Sequence, residues 1–168
     1  DLARLLKPFQ VSMEAYSPSV PDALLADFGV TRSTSLEDLF SRNNVLIELA
    51  AYTPANHHLV GERLLRLLPE GATFVNIGRG AVTDEAALLT LAREGRLQIA
   101  LDVFETEPLP ADHPFRGQRN ITLMPHLGGP TIDRRRDAGH HGVEGIAAYL
   151  AGETPDAVVT PQIYDRTT

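Results

Sequence analysis

Cysteine is absent from the 168-residue chain, so no disulfide framework, thiolate metal site or thiol nucleophile is available to it. That absence suits the cytoplasm, where we expect the protein to work. A basic surplus is also missing. Fifteen Lys and Arg stand against 22 Asp and Glu, and the net charge of −7 excludes the basic stripe of a non-specific nucleic-acid surface. No apolar run reaches the roughly 18 residues of a membrane span, so neither nucleic acid nor membrane is an expected partner. The opening DLARLLKPF lacks the basic n-region and small-residue cleavage site of a signal peptide. Nor does any G-x-G-x-x-G occur. The nearest fragment, GRGAVT, lacks the third glycine.

What is present reads as a globular domain with a core, at 43% apolar and 22% charged residues. Strand-like and helix-like runs alternate. Strands are expected at 11–16, near Val30, and at 44–49, 73–77, 97–104 and 121–125. Helices are expected at 1–9, 21–29, 35–42 with Ser35 as cap, 61–71, from Asp84 onward, and 132–150 ending at Gly152. The run LQIALDVF is apolar enough to be covered on both faces. The pattern predicts an α/β fold, a doubly wound, mainly parallel, Rossmann-like sheet. In a doubly wound fold the glycine-rich loop joins the first strand to the first helix, and here the first helix is DLARLLKPF. That strand and loop would therefore precede Asp1, leaving the nucleotide-binding domain incomplete and strands 11–16 and 44–49 each without an inner neighbour.

Parallel strands end on one edge, where ligands of such sheets sit. Arg79 follows one strand end, in FVNIGRGAVTDE. Asp102, Glu105 and Glu107 lie at and beyond the next, in ALDVFETEPLP. His126 follows the last, in PHLGGPT. A histidine exchanges protons near neutral pH, and a carboxylate beside it favours the imidazolium. An arginine grips a carboxylate with a planar fork. The set suits an anionic substrate that exchanges one proton at a carbon–oxygen centre. Each member also has a plainer reading: Arg79 as a surface charge, Asp102 as a backbone cap, Glu105 as a solvated group, His126 as a structural histidine. No metal is expected. His57-His58 and His140-His141 are adjacent pairs that do not share a helical face.

Four motifs in series then carry a resemblance: TPANHHLVGERLL, NIGRGAVTDEAAL, ALDVFETEPLP with DHP, and ITLMPHLGGPT. Across 11–152 the chain resembles the nucleotide-binding domain of the D-isomer-specific 2-hydroxyacid dehydrogenases, of the hydroxypyruvate and glyoxylate reductase kind. The resemblance implies hydride transfer between a nicotinamide cofactor and a small 2-hydroxy or 2-keto acid, in a homodimer. It makes Arg79 the substrate-carboxylate anchor, His126 the proton donor and Glu107 its partner. Asp102 matches the nicotinamide-carboxamide contact. Ile77, Gly78, Arg79, His126, Gly128 and Gly129 would line the cofactor, with Thr53 in the nucleotide-side loop. The formate-oxidising relatives usually carry glutamine at the place of Glu107, so hydroxyacid chemistry is favoured. An alternative is a dinucleotide-sensing regulator without turnover.

The resemblance has gaps. Ser17 stands where the family usually carries an aspartate for the ribose hydroxyls, so a 2′-phosphate is not repelled. No arginine follows immediately, which keeps NAD ahead of NADP, with NADP possible. Leu49 and Ala51 replace the usual His and Pro. The domain is expected over 1–152, and the tail 153–168 would lead back to a substrate domain.

Overall fold

The computed structural model describes residues 1–129 and 131–164. Pro130, in the last motif, and 165–168, the end of the expected tail, lie outside the described residues. Helix α1 (Leu2–Leu6) runs into a 3-10 turn, Lys7–Phe9, and then into strand β1 (Met13–Ala15). Helix α2 (Asp22–Asp27) begins after Pro21 and is closed by Gly29 at φ +67°, and strand β2 (Val30–Arg32) follows. Helix α3 (Leu36–Arg42) starts where Ser35 Oγ accepts the Asp38 N–H at 3.1 Å, the cap expected there.

Strand β3 (Val45–Glu48) and helix α4 (Glu62–Leu65) come next, then β4 (Thr73–Asn76), α5 (Glu85–Arg93), β5 (Gln98–Leu101) and β6 (Ile121–Leu123). Asp84 caps α5 by accepting the N–H groups of Ala86 and Ala87. Helix α6 (Arg135–Leu150) ends before Gly152 at φ +77°, and a short helix α7 (Pro161–Tyr164) closes the described chain. All pairings are parallel. Strands β3-β4-β5-β6 form one sheet in that order, and β1 pairs with β2 in another. No ladder joins β1 to β3 among the described residues. Both strands thus lack the inner neighbour that the doubly wound order places there.

The core lies on one face of the larger sheet. Phe40, Leu64, Leu65, Phe74, Leu88 and Leu91 are almost fully buried there. Leu88, Leu91 and Ala92 recur at helical spacing and form the inner face of α5, and Ala87 joins them.

Several expected boundaries shorten. The strand at 97–104 is paired only over β5. After Asp102 N–H bonds Asn76 O at 3.0 Å the chain leaves the ladder for a turn. Its expected cover on both faces is met on one: Ile99 and Leu101 are buried, while Gln98 is exposed and Ala100 is half-buried. Helix α6 buries no residue and so does not supply that second cover. It also starts at Arg135 rather than 132, after a turn at 132–134 in which Arg134 N–H bonds Thr131 O at 2.8 Å.

Candidate active site

The parallel arrangement sets the C-terminal ends Glu48, Asn76, Leu101 and Leu123 on one edge. The turns that leave this edge carry the chemistry. Beyond β4 the chain runs Ile77-Gly78-Arg79-Gly80. Neither glycine has a positive φ, so backbone freedom does not explain them. Close approach does. A Cβ on Gly80 would overlap the backbone of Phe104 and Glu105, and one on Gly78 would overlap the Glu48 carboxylate. Arg79 therefore sits on a turn pressed between two neighbouring strand ends. Its side chain is exposed, and Nη1 donates to Gly78 O at 2.8 Å.

Asn76 shapes that turn. Its Oδ1 accepts Gly78 N–H at 3.0 Å, and its Nδ2 donates to Arg79 O at 3.1 Å and to Thr83 Oγ1 at 3.2 Å. It is 1% exposed, so each of these bonds replaces water that burial has removed. Sequence reasoning passed over Asn76. The available signal was a lone amide in the apolar run FVNI, three residues before the arginine.

Beyond β5, Asp102 is 6% exposed and accepts two backbone N–H groups, Leu127 to Oδ1 and Gly128 to Oδ2, both at 2.7 Å. The plainer reading of Asp102 as a backbone cap is thus realised: it ties the β5 end to the segment after β6. Gly128 is required because a Cβ there would lie 2.8 Å from Asp102 Oδ2. Nothing crowds Gly129. The same tie fixes His126, which adopts φ +53°. A non-glycine residue in the left-handed region is strained and persists only where its surroundings hold it.

Glu107 reaches His126 from the 102–107 segment. Its Oε2 lies 2.6 Å from His126 Nδ1, and its Oε1 accepts Phe104 N–H at 3.0 Å. Burial pushes the Glu107 carboxyl up, but the bonds from His126 and Phe104 outweigh it and hold the group below the usual glutamate value. Glu105 makes other bonds. Its carboxylate pairs with His58 Nε2 at 2.8 Å and accepts Glu85 N–H at 3.3 Å, and its own N–H donates to the Glu85 carboxylate at 2.9 Å. His140 pairs with Glu144, four residues along α6.

Arg79, Glu107 and His126 line one open cleft of about 320 Å³ with Tyr52, Phe104 and Glu105. A second cavity of about 580 Å³ shares Glu107 and His126 and runs towards Leu109 and Arg116. Three separate strand ends therefore bring Arg79, Glu107 and His126 to one cleft, while Asp102, the second carboxylate expected at that rim, does not line it. Thr53 lies in the adjoining loop after β3, where Asn56 bonds both Thr53 N–H and Ala51 O. Ser17 is not part of the cleft. It lies beyond β1, on the smaller sheet, and its carbonyl accepts from the Arg32 guanidinium, which also bonds Val20 O and Asp22.

Comparison with known proteins agrees with this architecture. Residues 1–128 match the family model for the D-isomer specific 2-hydroxyacid dehydrogenase, NAD binding domain. A glyoxylate/hydroxypyruvate reductase B of Pectobacterium carotovorum is 38% identical over 133 residues, 79% of this chain and 42% of that protein. A glyoxylate reductase of Aeropyrum pernix is 37% identical over 130 residues, 77% of this chain and 39% of that one. Among solved structures, the D-mandelate dehydrogenase of Rhodotorula graminis superposes with a TM-score of 0.84 at 27% identity, over 95% of this chain and 48% of the other. A D-isomer specific 2-hydroxyacid dehydrogenase of Xanthobacter autotrophicus, solved with NADPH and MES, gives 0.78 at 31% identity, over 94% and 49%. The chain spans about two fifths of the length of these curated relatives and about half of these solved chains. With its match over residues 1–128 and its parallel α/β architecture, the chain belongs to the D-isomer specific 2-hydroxyacid dehydrogenase family, in the NAD binding domain.

Proposed function

We propose that this chain is the nucleotide-binding part of an NAD(P)-dependent 2-hydroxyacid dehydrogenase that reduces small 2-keto acids of the glyoxylate and hydroxypyruvate class. The observation that carries the reading is the 2.6 Å contact between Glu107 and His126 Nδ1, in the cleft that Arg79 also lines. Because Glu107 occupies Nδ1, Nε2 is the nitrogen that faces the substrate and moves the proton. As imidazolium, His126 gives that proton to the keto oxygen during reduction. Arg79 binds the substrate carboxylate and polarises the carbonyl. One of its five N–H donors is engaged by Gly78 O, and the outer edge of the guanidinium remains for a bidentate grip.

The strand edge fits a dinucleotide. The backbone at Gly78 has no room for a side chain, and Ile77 is 44% exposed at the end of an otherwise well-packed strand. Ile77, Gly78, Asp102, Gly128 and Gly129 would hold the nicotinamide side, with Thr53 and Ser17 towards the nucleotide side. Bound nicotinamide supplies the hydride, which no side chain can. Asp102 uses one lone pair on each oxygen for Leu127 and Gly128, so each oxygen can accept a further donor.

Residues 1–152 are read as the nucleotide domain and 153–168 as the return towards a substrate domain. A cytoplasmic homodimer is the expected context. Zero cysteines support the location, and the exposed apolar residues Val143, Ile146, Tyr149 and Leu150 on α6 support an assembly. No described helix is long and apolar enough to cross a membrane. The test of the reading is turnover by the full-length protein with NADH and NADPH over a panel of 2-keto acids. Dinucleotide binding without turnover on any of them would favour the sensing alternative.

A further inference from the structure

We propose that Glu48 is a positioning residue for Arg79: its buried carboxylate holds the backbone beside the Arg79 turn and competes with the substrate carboxylate for the guanidinium charge. This inference rests on the reading of Arg79 as the substrate anchor. Glu48 closes β3 at the functional edge and is 7% exposed. In the register it is opposite Asn76, and its carbonyl accepts Ile77 N–H at 3.3 Å. Its Oε1 accepts Ala50 N–H at 2.6 Å. Its Oε2 is buried and makes no hydrogen bond of full geometry, the backbone N–H of Arg79 being the donor that acts on the carboxylate from that side. That oxygen lies over Gly78, in the space a side chain there would fill, next to Ala50 O. Asn76 grips Gly78 and Arg79 from one side, and Glu48 packs on them from the other.

An apolar residue or an amide at this position would spare the fold a buried charge. A buried carboxylate with one oxygen lacking a well-formed hydrogen bond, packed on the turn that carries the arginine of the cleft, has the character of a functional group rather than a packing group. Burial raises its pKa, opposed in turn by the Ala50 N–H, the Arg79 N–H and the Arg79 charge. The Arg79 turn carries the nearest charge, since Glu48 Oε2 lies against Gly78 and the guanidinium Nη1 bonds Gly78 O. When Glu48 is ionised, it lowers the positive potential that Arg79 presents to an anion. When Glu48 is neutral, that potential is restored. Affinity for the substrate carboxylate therefore rises as pH falls through the ionisation of Glu48. The sign for stability matches. A raised folded-state pKa means stability is fully present below the unfolded value and lost as pH climbs through the folded one.

The experiment uses the full-length protein with Glu48→Gln and Glu48→Leu. Glutamine keeps an acceptor for Ala50 N–H, and leucine does not. Oxamate, a non-reacting 2-keto acid analogue, is titrated calorimetrically at saturating NADH across about pH 5 to 8, and thermal midpoints are recorded without ligand. Any pH dependence from His126 is common to all forms, so the difference between forms is the readout. Wild-type binding should weaken as Glu48 ionises. Glu48→Gln should hold the tighter value, by about threefold or more wherever Glu48 is ionised, and should melt higher than wild type there. Glu48→Leu should lose both affinity and midpoint relative to Glu48→Gln. Superimposable oxamate curves for wild type and Glu48→Gln would overturn the proposal. So would a Glu48→Gln midpoint as low as that of Glu48→Leu with unchanged affinity, the mark of a purely structural residue. Failure of wild type to bind oxamate would overturn it as well, since Arg79 would then anchor no anion. Oxamate binding with the expected difference, but no turnover on any 2-keto acid, would leave Glu48 as assigned and reject the dehydrogenase reading instead.

Discussion

At the scale of single residues, the site depends on polar groups held in geometries that cost stability elsewhere. His126 is kept at φ +53° by the Asp102 bonds to the two residues that follow it. Glu107 is fixed by Phe104 as well as by the histidine. Its lowered pKa sets the pH behaviour of the pair. Contact with the imidazolium is fully present above the ordinary glutamate value of 4.5 and is lost as pH falls through the lowered folded value. Reduction should therefore persist through mildly acidic pH and fall only below about 4.5, which a kcat/KM profile on the full-length protein measures. Loss of activity already between about pH 5 and 6 would mean that the acid limb belongs to another group. For Arg79 the decisive substitution is lysine, which keeps the charge and loses the fork. Arg79→Lys should lower kcat/KM for the keto acid by at least about tenfold, near 1.4 kcal/mol of transition-state binding, while the dinucleotide Kd changes far less.

At the scale of elements, some features were legible in the chain and others were not. The Ser35 cap, the start of α5 near Asp84 and the inner face of α5 followed from local rules that the core does not disturb. Convergence of Arg79, Glu107 and His126 followed from the parallel topology alone. The ends of strands did not, because 102–104 is as apolar as a strand yet buries its residues in a turn. Glu48 stayed hidden because a lone carboxylate at the end of an apolar run reads as solvated until burial is known. Arg32 stayed hidden for a different reason. It lies fifteen residues from Ser17 in the chain but donates to the Ser17 carbonyl across the β1–β2 pair. An arginine sought immediately after Ser17 is missing, yet a guanidinium stands beside it. Where the resemblance puts the ribose end, this guanidinium is held by Asp22, and we propose that a 2′-phosphate draws it away from that carboxylate. Arg32→Ala should lower kcat/KM for NADPH relative to NADH by about tenfold. An unchanged ratio would remove Arg32 from cofactor choice.

At the scale of the whole molecule, the two sheets and the uncovered face set the solution behaviour. Strands β1 and β3 each present an unpaired edge, one face of the larger sheet is only half-buried, and α6 buries nothing. Open strand edges and exposed apolar helix residues invite association. The 168-residue chain by itself should accordingly self-associate in a concentration-dependent way by sedimentation velocity and bind NADH weakly. A monodisperse monomer with tight dinucleotide binding would show that the gap between β1 and β3 matters less than the sheet geometry implies.

We propose that the cleft of Arg79, Glu107 and His126 performs acid-assisted reduction of a 2-keto acid. The most direct test compares wild type with His126→Ala in the full-length protein, reading both kcat/KM for glyoxylate and hydroxypyruvate and the Kd of the dinucleotide. Positioned general acids contribute about 10²–10⁴-fold, so the account predicts a loss within that range with dinucleotide affinity retained. Turnover that survives His126→Ala undiminished, while the dinucleotide still binds, would contradict it.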